Sequence, residues 1–264
     1  VIPMGERLWL FGAAGLLFLA VGAAGGRPLF PRLAARLEGV TPAARHRSWL
    51  LFAAMPVLLT SALLLAASLP SLVAFVVPAV DHCGAHGEPH AHLCFVHGPA
   101  LPSLARAPGV ASVVEALALA AGIVIAVGTV RGGVRWSRQR RLLASLLRTG
   151  ATGPGGGFTL VEGPYPLCMT IGAFAPRIIL ARSLYACLDA RQRAVVLAHE
   201  RAHAARRDAL WARVASIVAR VHLPAVRRAI LGEVQVAAEQ ACDDVAASAV
   251  GDRMAVASTI IAVE

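Results

Sequence analysis

Hydrophobic positions are distributed differently in the two halves of this 264-residue chain. The first half contains three long stretches without charged residues, at 8–24, 49–80 and 116–130. A helix needs roughly 20 apolar residues to cross a bilayer. The third stretch is shorter than this, but the apolar residues 110–114 can lengthen it across Glu115. The pattern therefore predicts three transmembrane helices, and we expect Pro70 to break the second near one membrane face.

The second half is patterned as a small folded domain. The glycine-rich segment 148–158 predicts a flexible linker that divides the chain into regions 1–149 and 150–264. Residues 159–181 alternate β-rich runs with Gly-Pro and Ala-Pro breaks, which predicts two or three short strands. Asp189 followed by Gln192 predicts a capping box at the start of a helix. Further helical patterns fill 209–222 and 225–249. The fold class is therefore mainly α, with a multi-span membrane region followed by a small α+β domain.

Composition supports a membrane protein. The chain is 57% hydrophobic with a mean hydropathy of +0.66, far above an ordinary soluble domain. All 25 basic residues are arginines, against 15 acidic residues. These arginines cluster beside apolar stretches and form no aromatic-interleaved stripe, so we expect the lipid bilayer to be their partner and no direct binding of nucleic acid.

The arginines also predict the orientation of a multi-pass protein in the cell membrane. The predicted loop 25–47 holds five arginines, the predicted loop 81–108 holds one, and segment 131–148 holds six. Because positively charged loops stay in the cytoplasm, the N-terminus and the loop 81–108 are predicted outside. Residues 131–264 are predicted to be cytoplasmic.

The motif H-E-x-x-H lies in the predicted helix that follows Asp189. His199 and His203 are four residues apart, so both imidazoles lie on one helix face and can bind a single zinc ion. Glu200 is rotated about 100° from His199, beside the metal, where it can accept a proton from water. The spacing predicts a zinc-protease site with Glu200 as the catalytic base.

A catalytic zinc also needs a third protein ligand. Downstream candidates are His222, Glu233 and Glu239. Glu239 and Asp243 are again four residues apart, so one carboxylate can bind the metal while the other orients a ligating histidine. The same pair also fits an exposed acidic patch, and His222 fits either a structural role or an oxyanion-stabilising one.

Two further stretches carry a resemblance to a known family. "HERAHAARRD", followed some thirty residues later by "EQACDD", resembles the BlaR/MecR-type antirepressor metallopeptidases, which are integral membrane gluzincins. The lead-in "GAFAPRIILARSLYACLDARQRAVVLAHE" is also similar. The resemblance implies that His199, His203 and Glu239 bind zinc, that Glu200 is the catalytic base and that Asp243 supports the site.

The resemblance also implies a function. It suggests a zinc-dependent endopeptidase that cleaves a cytoplasmic protein, a transcriptional repressor of the winged-helix type, in response to a signal. Residues 170–181 are expected either to bind substrate as an added strand or to form a structural edge. The alternatives are a Ste/HtpX-type quality-control protease and a signalling or metal-sensing protein with a structural zinc site. The chain ends at Glu264 within a helical pattern, so we expect the domain to be truncated there.

The predicted external loop has an unusual composition. Residues 81–98 contain five histidines and two cysteines. An oxidising exterior favours a disulfide between Cys83 and Cys94, whereas His and Cys at short spacings also suit metal binding. The remaining three cysteines fall on the predicted cytoplasmic side and are expected to be free thiols.

Overall fold

The structure is a computed structural model that describes residues 4–77, 109–163 and 167–263. These residues are mainly helical with one small sheet. In chain order the elements are α1 (Met4–Leu37), α2 (Pro42–Val76), α3 (Val110–Thr149), β1 (Ala151–Thr152), β2 (Thr159–Val161), β3 (Cys168–Ile171), β4 (Arg177–Ala181), α4 (Arg182–Cys187), α5 (Ala190–Arg206), α6 (Asp208–Val218), a 3-10 turn (Ala219–Val221), α7 (Pro224–Val250) and α8 (Arg253–Val263).

The chain forms two compact units. The first comprises Val1–Arg27, Met55–Gly133 and Val221–Leu223, and the second comprises Pro28–Ala54, Val134–Arg220 and Pro224–Glu264. The second unit therefore holds the H-E-x-x-H helix together with segments that we predicted as part of the membrane region. The predicted division of the chain at residue 150 stays a prediction.

Among the described residues, two helices are long and apolar enough to cross a membrane, at Phe11–Leu37 and Pro42–Leu69. In the most apolar stretch of each helix, only 11% and 22% of the residues are buried, so large side chains such as Leu17 and Leu65 face outward. Outward-facing apolar side chains suit contact with lipid better than the core of a soluble protein. These helices overlap the first two predicted spans and suggest association with a membrane, whereas the third predicted span falls within α3, and the multi-span arrangement stays a prediction.

Two local predictions in this region are wrong. The segment 25–47 is no long loop, because α1 continues to Leu37 and α2 begins at Pro42. Arginine is a good helix former, so the charges that end an apolar stretch do not end the helix. Pro70 does not break α2 either, which continues to Val76. A proline removes one backbone hydrogen bond, and membrane helices often tolerate that loss.

The sheet has four strands in the order β1-β2-β4-β3. Strand β2 pairs in parallel with β4, while β1 pairs antiparallel with β2 and β3 antiparallel with β4. Three of these strands lie within 159–181, which confirms the strand prediction there. Strand β3 lies at one edge of the sheet, so one side of its backbone has no neighbouring strand in the described sheet.

The glycine-rich segment 148–158 is an ordered turn, so the flexible linker predicted there is wrong. Ala151 and Thr152 pair with Leu160 and Thr159 on the other side of it. The three glycines 155–157 all have φ between 73° and 82°, a region that only glycine occupies without strain. Glycine in this segment therefore serves a tight hairpin connection.

Two hydrophobic clusters hold the second unit together. Strands β2 and β4 pack with α4 through Leu160, Ile178, Leu180 and Leu184. Helices α5, α7 and α8 pack around Val195, with Ala246, Ala247, Ala255 and Val256. Alanines allow the helix axes to approach closely. This packing sets α7 alongside the H-E-x-x-H helix, α5.

Candidate metal centre

Helix α5 begins as the sequence predicted. The Asp189 side chain accepts a hydrogen bond from the backbone N–H of Gln192 (2.8 Å), and the Gln192 side chain accepts one from the Asp189 N–H (2.9 Å). This capping box satisfies two donors that the first turn leaves unpaired. It fixes the start of α5, so that His199, Glu200 and His203 fall in the interior of the helix.

The two histidines and Glu239 converge on one point. The Nε2 atoms of His199 and His203 are 3.0 Å apart, and Oε2 of Glu239 lies 3.4 and 3.3 Å from them. Ligands at about 2.0–2.1 Å from a tetrahedral zinc ion lie about 3.3–3.4 Å from one another. The three atoms therefore have the spacing of three corners of a zinc tetrahedron.

Helix α7 contributes two acidic side chains to this centre. Asp243 lies one turn after Glu239, and its Oδ1 is 2.9 Å from Nδ1 of His199. The structure thus brings the five predicted site residues together, with Asp243 behind the first histidine. The other candidates for the third ligand, His222 and Glu233, are absent from both groups of metal-ligating side chains found in the described residues.

Sequence analysis missed Asp208, which performs the same task for the second histidine. Its Oδ2 lies 2.9 Å from Nδ1 of His203 and accepts a hydrogen bond from Arg206 at 3.2 Å. Arg207 makes this possible by adopting a left-handed conformation (φ 55°, ψ 42°), which ends α5 and turns the chain so that α6 begins at Asp208. The available signal was an aspartate five residues after the second histidine.

The hydrogen bonds show why the centre favours a cation. Nδ1 of each histidine lies 2.9 Å from a carboxylate oxygen, and the neutral tautomer that donates Nδ1–H to this oxygen leaves a lone pair on the facing Nε2 atom. Burial alone would lower the pKa of His203, but hydrogen bonds with Asp208, Cys242 and Glu239 raise it to about 12. The pKa of His199 is also raised despite burial, chiefly by Glu239. Negative side chains therefore favour positive charge at this point.

A second group of potential ligands lies directly behind the first. His203, Asp208 and Cys242 also bring ligand atoms within reach of one ion. Cys242 is fully buried, and its thiol lies 3.5 Å from Oδ2 of Asp208. Burial, the largest effect, raises the pKa of the Cys242 thiol, which favours a protonated sulfur that donates to Asp208. The group formed by His199, His203 and Glu239 is therefore the better zinc site.

Glu200 lies beside the centre and is 92% buried. Thr170 on the edge strand β3 is its neighbour, with the hydroxyl 2.7 Å from the Glu200 carboxylate and 2.9 Å from the Glu200 carbonyl oxygen. Burial and the Glu200 charge together raise the pKa of the nearby Cys168 thiol. Sequence analysis placed Thr170 only in the strand and missed its contact with Glu200.

A cavity of about 570 Å³ opens over the centre. Its walls come from β3, from the functional face of α5, and from α6 and α7. The described part of α2 also contributes His46. The cavity therefore gives a substrate access to the metal ligands and to Glu200 at the same time.

The cysteine predictions divide between described and undescribed residues. Cys168, Cys187 and Cys242 form no disulfide among the described residues. Cys83 and Cys94 lie outside the described residues, so their disulfide and the alternative of metal binding stay predictions.

We expect the purified chain to bind about one zinc ion, because three protein ligands and one open position make a catalytic zinc site. His203→Ala and Glu239→Ala should lose the metal, as measured by mass spectrometry of metal content after dialysis. His222→Ala is the matched control and should keep it. Full zinc in Glu239→Ala together with loss in His222→Ala would show that the third ligand is His222.

Asp208→Asn and Asp243→Asn should each weaken zinc binding by about tenfold or more, because each removes the charge that holds a ligating imidazole. Competition with a chelator measures the affinity. Asp244→Asn is the control, since this aspartate shares α7 and pairs only with the exposed Arg253 in the described structure. Unchanged affinity in both site variants would contradict the orienting role of the two carboxylates.

Comparison with known proteins agrees with this geometry. Residues 162–262 match the family model described as Peptidase family M48, whose members are typically zinc-dependent. No curated protein and no solved structure matches the chain. The matched segment contains the three candidate metal ligands, the two aspartates beside the histidines and Glu200. The match therefore supports an M48-type zinc metallopeptidase, and the two apolar helices suggest that it is associated with a membrane.

Proposed function

We propose that this protein is a membrane-anchored zinc endopeptidase that cleaves a cytoplasmic protein in response to a signal. One observation carries the proposal: a buried carboxylate, Glu200, lies beside three side chains spaced as zinc ligands and contacts Thr170 on an open strand edge. A structural zinc site has no use for a fourth, uncoordinated carboxylate at this position. This favours a protease over the alternative of a signalling protein with a structural zinc site.

His199, His203 and Glu239 would hold the metal. When bound, zinc would act as a Lewis acid that polarises the peptide carbonyl and lowers the pKa of water to about 7. Glu200 accepts a proton from the attacking water as its oxygen bonds to the carbonyl carbon. The same carboxyl then gives that proton to the amine nitrogen as the C–N bond breaks. Thr170 donates a hydrogen bond that orients the Glu200 carboxylate for both transfers.

Strand β3 offers the substrate a backbone to pair with. The Ala181 N–H donates to the Leu167 carbonyl (2.7 Å), so residues 167, 169 and 171 face β4 in the antiparallel ladder. Alternation then turns the backbone groups of Cys168 and Thr170 to the free edge. An extended substrate that adds to this edge gains main-chain hydrogen bonds with little demand on its sequence. Its scissile bond would then lie over Glu200.

The proposed membrane orientation rests on the distribution of arginines and on which segments share a unit with the metal centre. This unit contains the metal centre and also residues 28–54 and 134–149, which hold most of the arginines beside the apolar stretches. Arg45 on α2 donates a hydrogen bond to Gln240 on α7, next to the metal ligand Glu239. The arginine-rich segments and the metal centre therefore belong to the same unit, and we propose that they face the same compartment. The positive-inside rule makes that side cytoplasmic.

The proposed substrate comes from the resemblance to BlaR/MecR-type antirepressor peptidases. In that family the target is a winged-helix repressor, and we propose the same class here. The family match covers the peptidase segment and does not name a target, so the Ste/HtpX-type quality-control role is the alternative that an experiment must separate. The two roles differ in their targets, since one requires a few cytoplasmic proteins and the other requires many membrane proteins.

Glu200→Gln should abolish cleavage while keeping zinc, because glutamine cannot accept the proton from water. Mapping of new protein N-termini in cells with the wild-type or variant protein should show a few cytoplasmic fragments, including one from a DNA-binding repressor, only in the wild type. Glu233→Gln is the matched control and should behave as the wild type. Fragments that appear equally in both would contradict the protease, and fragments mainly from membrane proteins would favour quality control.

Reporter fusions test the orientation. An enzyme active only in the cytoplasm should be active when fused after Arg148, and one active only outside should be active when fused after residue 99. This follows from the arginine counts of five, one and six in the successive segments. The reverse pattern would overturn the orientation and, with it, the cytoplasmic substrate.

A further inference from the structure

The wall of the metal cavity includes a histidine that does not belong to the peptidase segment. His46 lies in the second turn of α2, at the start of the candidate span Pro42–Leu69, and is 96% buried. It lines the same cavity as His199, His203 and Asp208. No step of the proposed hydrolysis uses His46.

Among the described residues, one carboxylate oxygen of the centre lacks a hydrogen-bond partner. Asp208 is 93% buried, and its Oδ2 already serves His203, Arg206 and Cys242. Its Oδ1 is buried without a hydrogen-bond partner in the described part of the chain. A buried carboxylate oxygen without a donor is unfavourable, so a donor nearby would stabilise the centre.

The first turns of α2 are held firmly enough to present such a donor. Trp49 is fully buried between Phe30 at 4.9 Å and Phe52 at 5.9 Å, measured between ring centroids. The hydrogen bond from Arg45 to Gln240 links the same turns to α7. His46 lies between these two attachments, so its ring has a defined place in the cavity wall.

We propose that His46 is a positioning residue for the metal centre, with a ring N–H that reaches the unpartnered Oδ1 of Asp208 through one water molecule. Asp208 in turn orients His203. The relay from His46 through Asp208 to His203 connects the second candidate span to a metal ligand. A displacement of α2 would therefore change the orientation of that ligand. The effect on peptide cleavage rests on the proposed function, whereas the effect on the metal does not.

Cobalt(II) is the probe for this proposal, because its visible absorption reports ligand geometry in a zinc site. The full chain in detergent or nanodiscs is loaded with Co²⁺, and its spectrum and affinity are compared among three variants. His46→Leu removes the donor and should shift the spectrum and weaken Co²⁺ binding by about tenfold. His46→Gln keeps an N–H donor and should retain the wild-type spectrum. Arg47→Leu is the control, since Arg47 is exposed beside His46.

Peptidase kinetics of the same variants provide a second, independent measurement. His46→Leu should lower kcat by about tenfold with little change in KM, since the defect lies at the metal and not at substrate binding. A wild-type spectrum and wild-type Co²⁺ affinity in folded His46→Leu would overturn the proposal. If His46→Leu does not fold, the His46→Gln variant is the test. A Co²⁺ spectrum of His46→Gln that differs from that of the wild type would then overturn the proposal. A wild-type chain without peptidase activity would contradict only the proposed function, because the spectral comparison stands without it.

Discussion

Two imidazole nitrogens that face each other at 3.0 Å are the constraint on which the rest of the second unit depends. Nδ1 of each ring lies 2.9 Å from an aspartate oxygen, and the neutral tautomer that donates Nδ1–H to this oxygen makes the facing Nε2 atom an acceptor. Two such acceptors at this distance repel unless a proton or a metal ion lies between them. Glu239 completes the arrangement with a third acceptor, and the raised pKa values of His199 and His203 reflect the same negative field.

The fold around this point brings acidic side chains to two opposite sides of the histidine pair. Alanine-rich packing sets α7 close to α5, so that Glu239 lies near both histidines and Asp243 contacts His199. The left-handed turn at Arg207 sends the chain back so that Asp208 meets His203. Strand β3 closes a third side with Thr170 against Glu200. A cation site and a base beside it are therefore consequences of one helix, its two neighbours and one edge strand.

The parts of this centre that sequence alone could predict are those set by helical spacing. A separation of four residues is enough to place His199 with His203, and Glu239 with Asp243, on one helix face each. Asp208 was missed because its approach depends on an arginine in a left-handed conformation, which composition does not signal. His46 was missed because it is 153 residues from His199 in the chain and meets the centre only through tertiary packing. The prediction that Pro70 breaks α2 was wrong because the loss of one backbone hydrogen bond does not end an apolar helix.

Zinc K-edge X-ray absorption of the full chain is the most direct test of the central claim. Coordination by His199, His203 and Glu239 predicts a shell of nitrogen and oxygen atoms at about 2.0–2.1 Å, with the multiple scattering typical of two imidazoles and no sulfur. A sulfur contribution at about 2.3 Å would mean that Cys242 binds the metal. It would place the ion in the second group, behind His203, and so contradict His199, His203 and Glu239 as the ligand set.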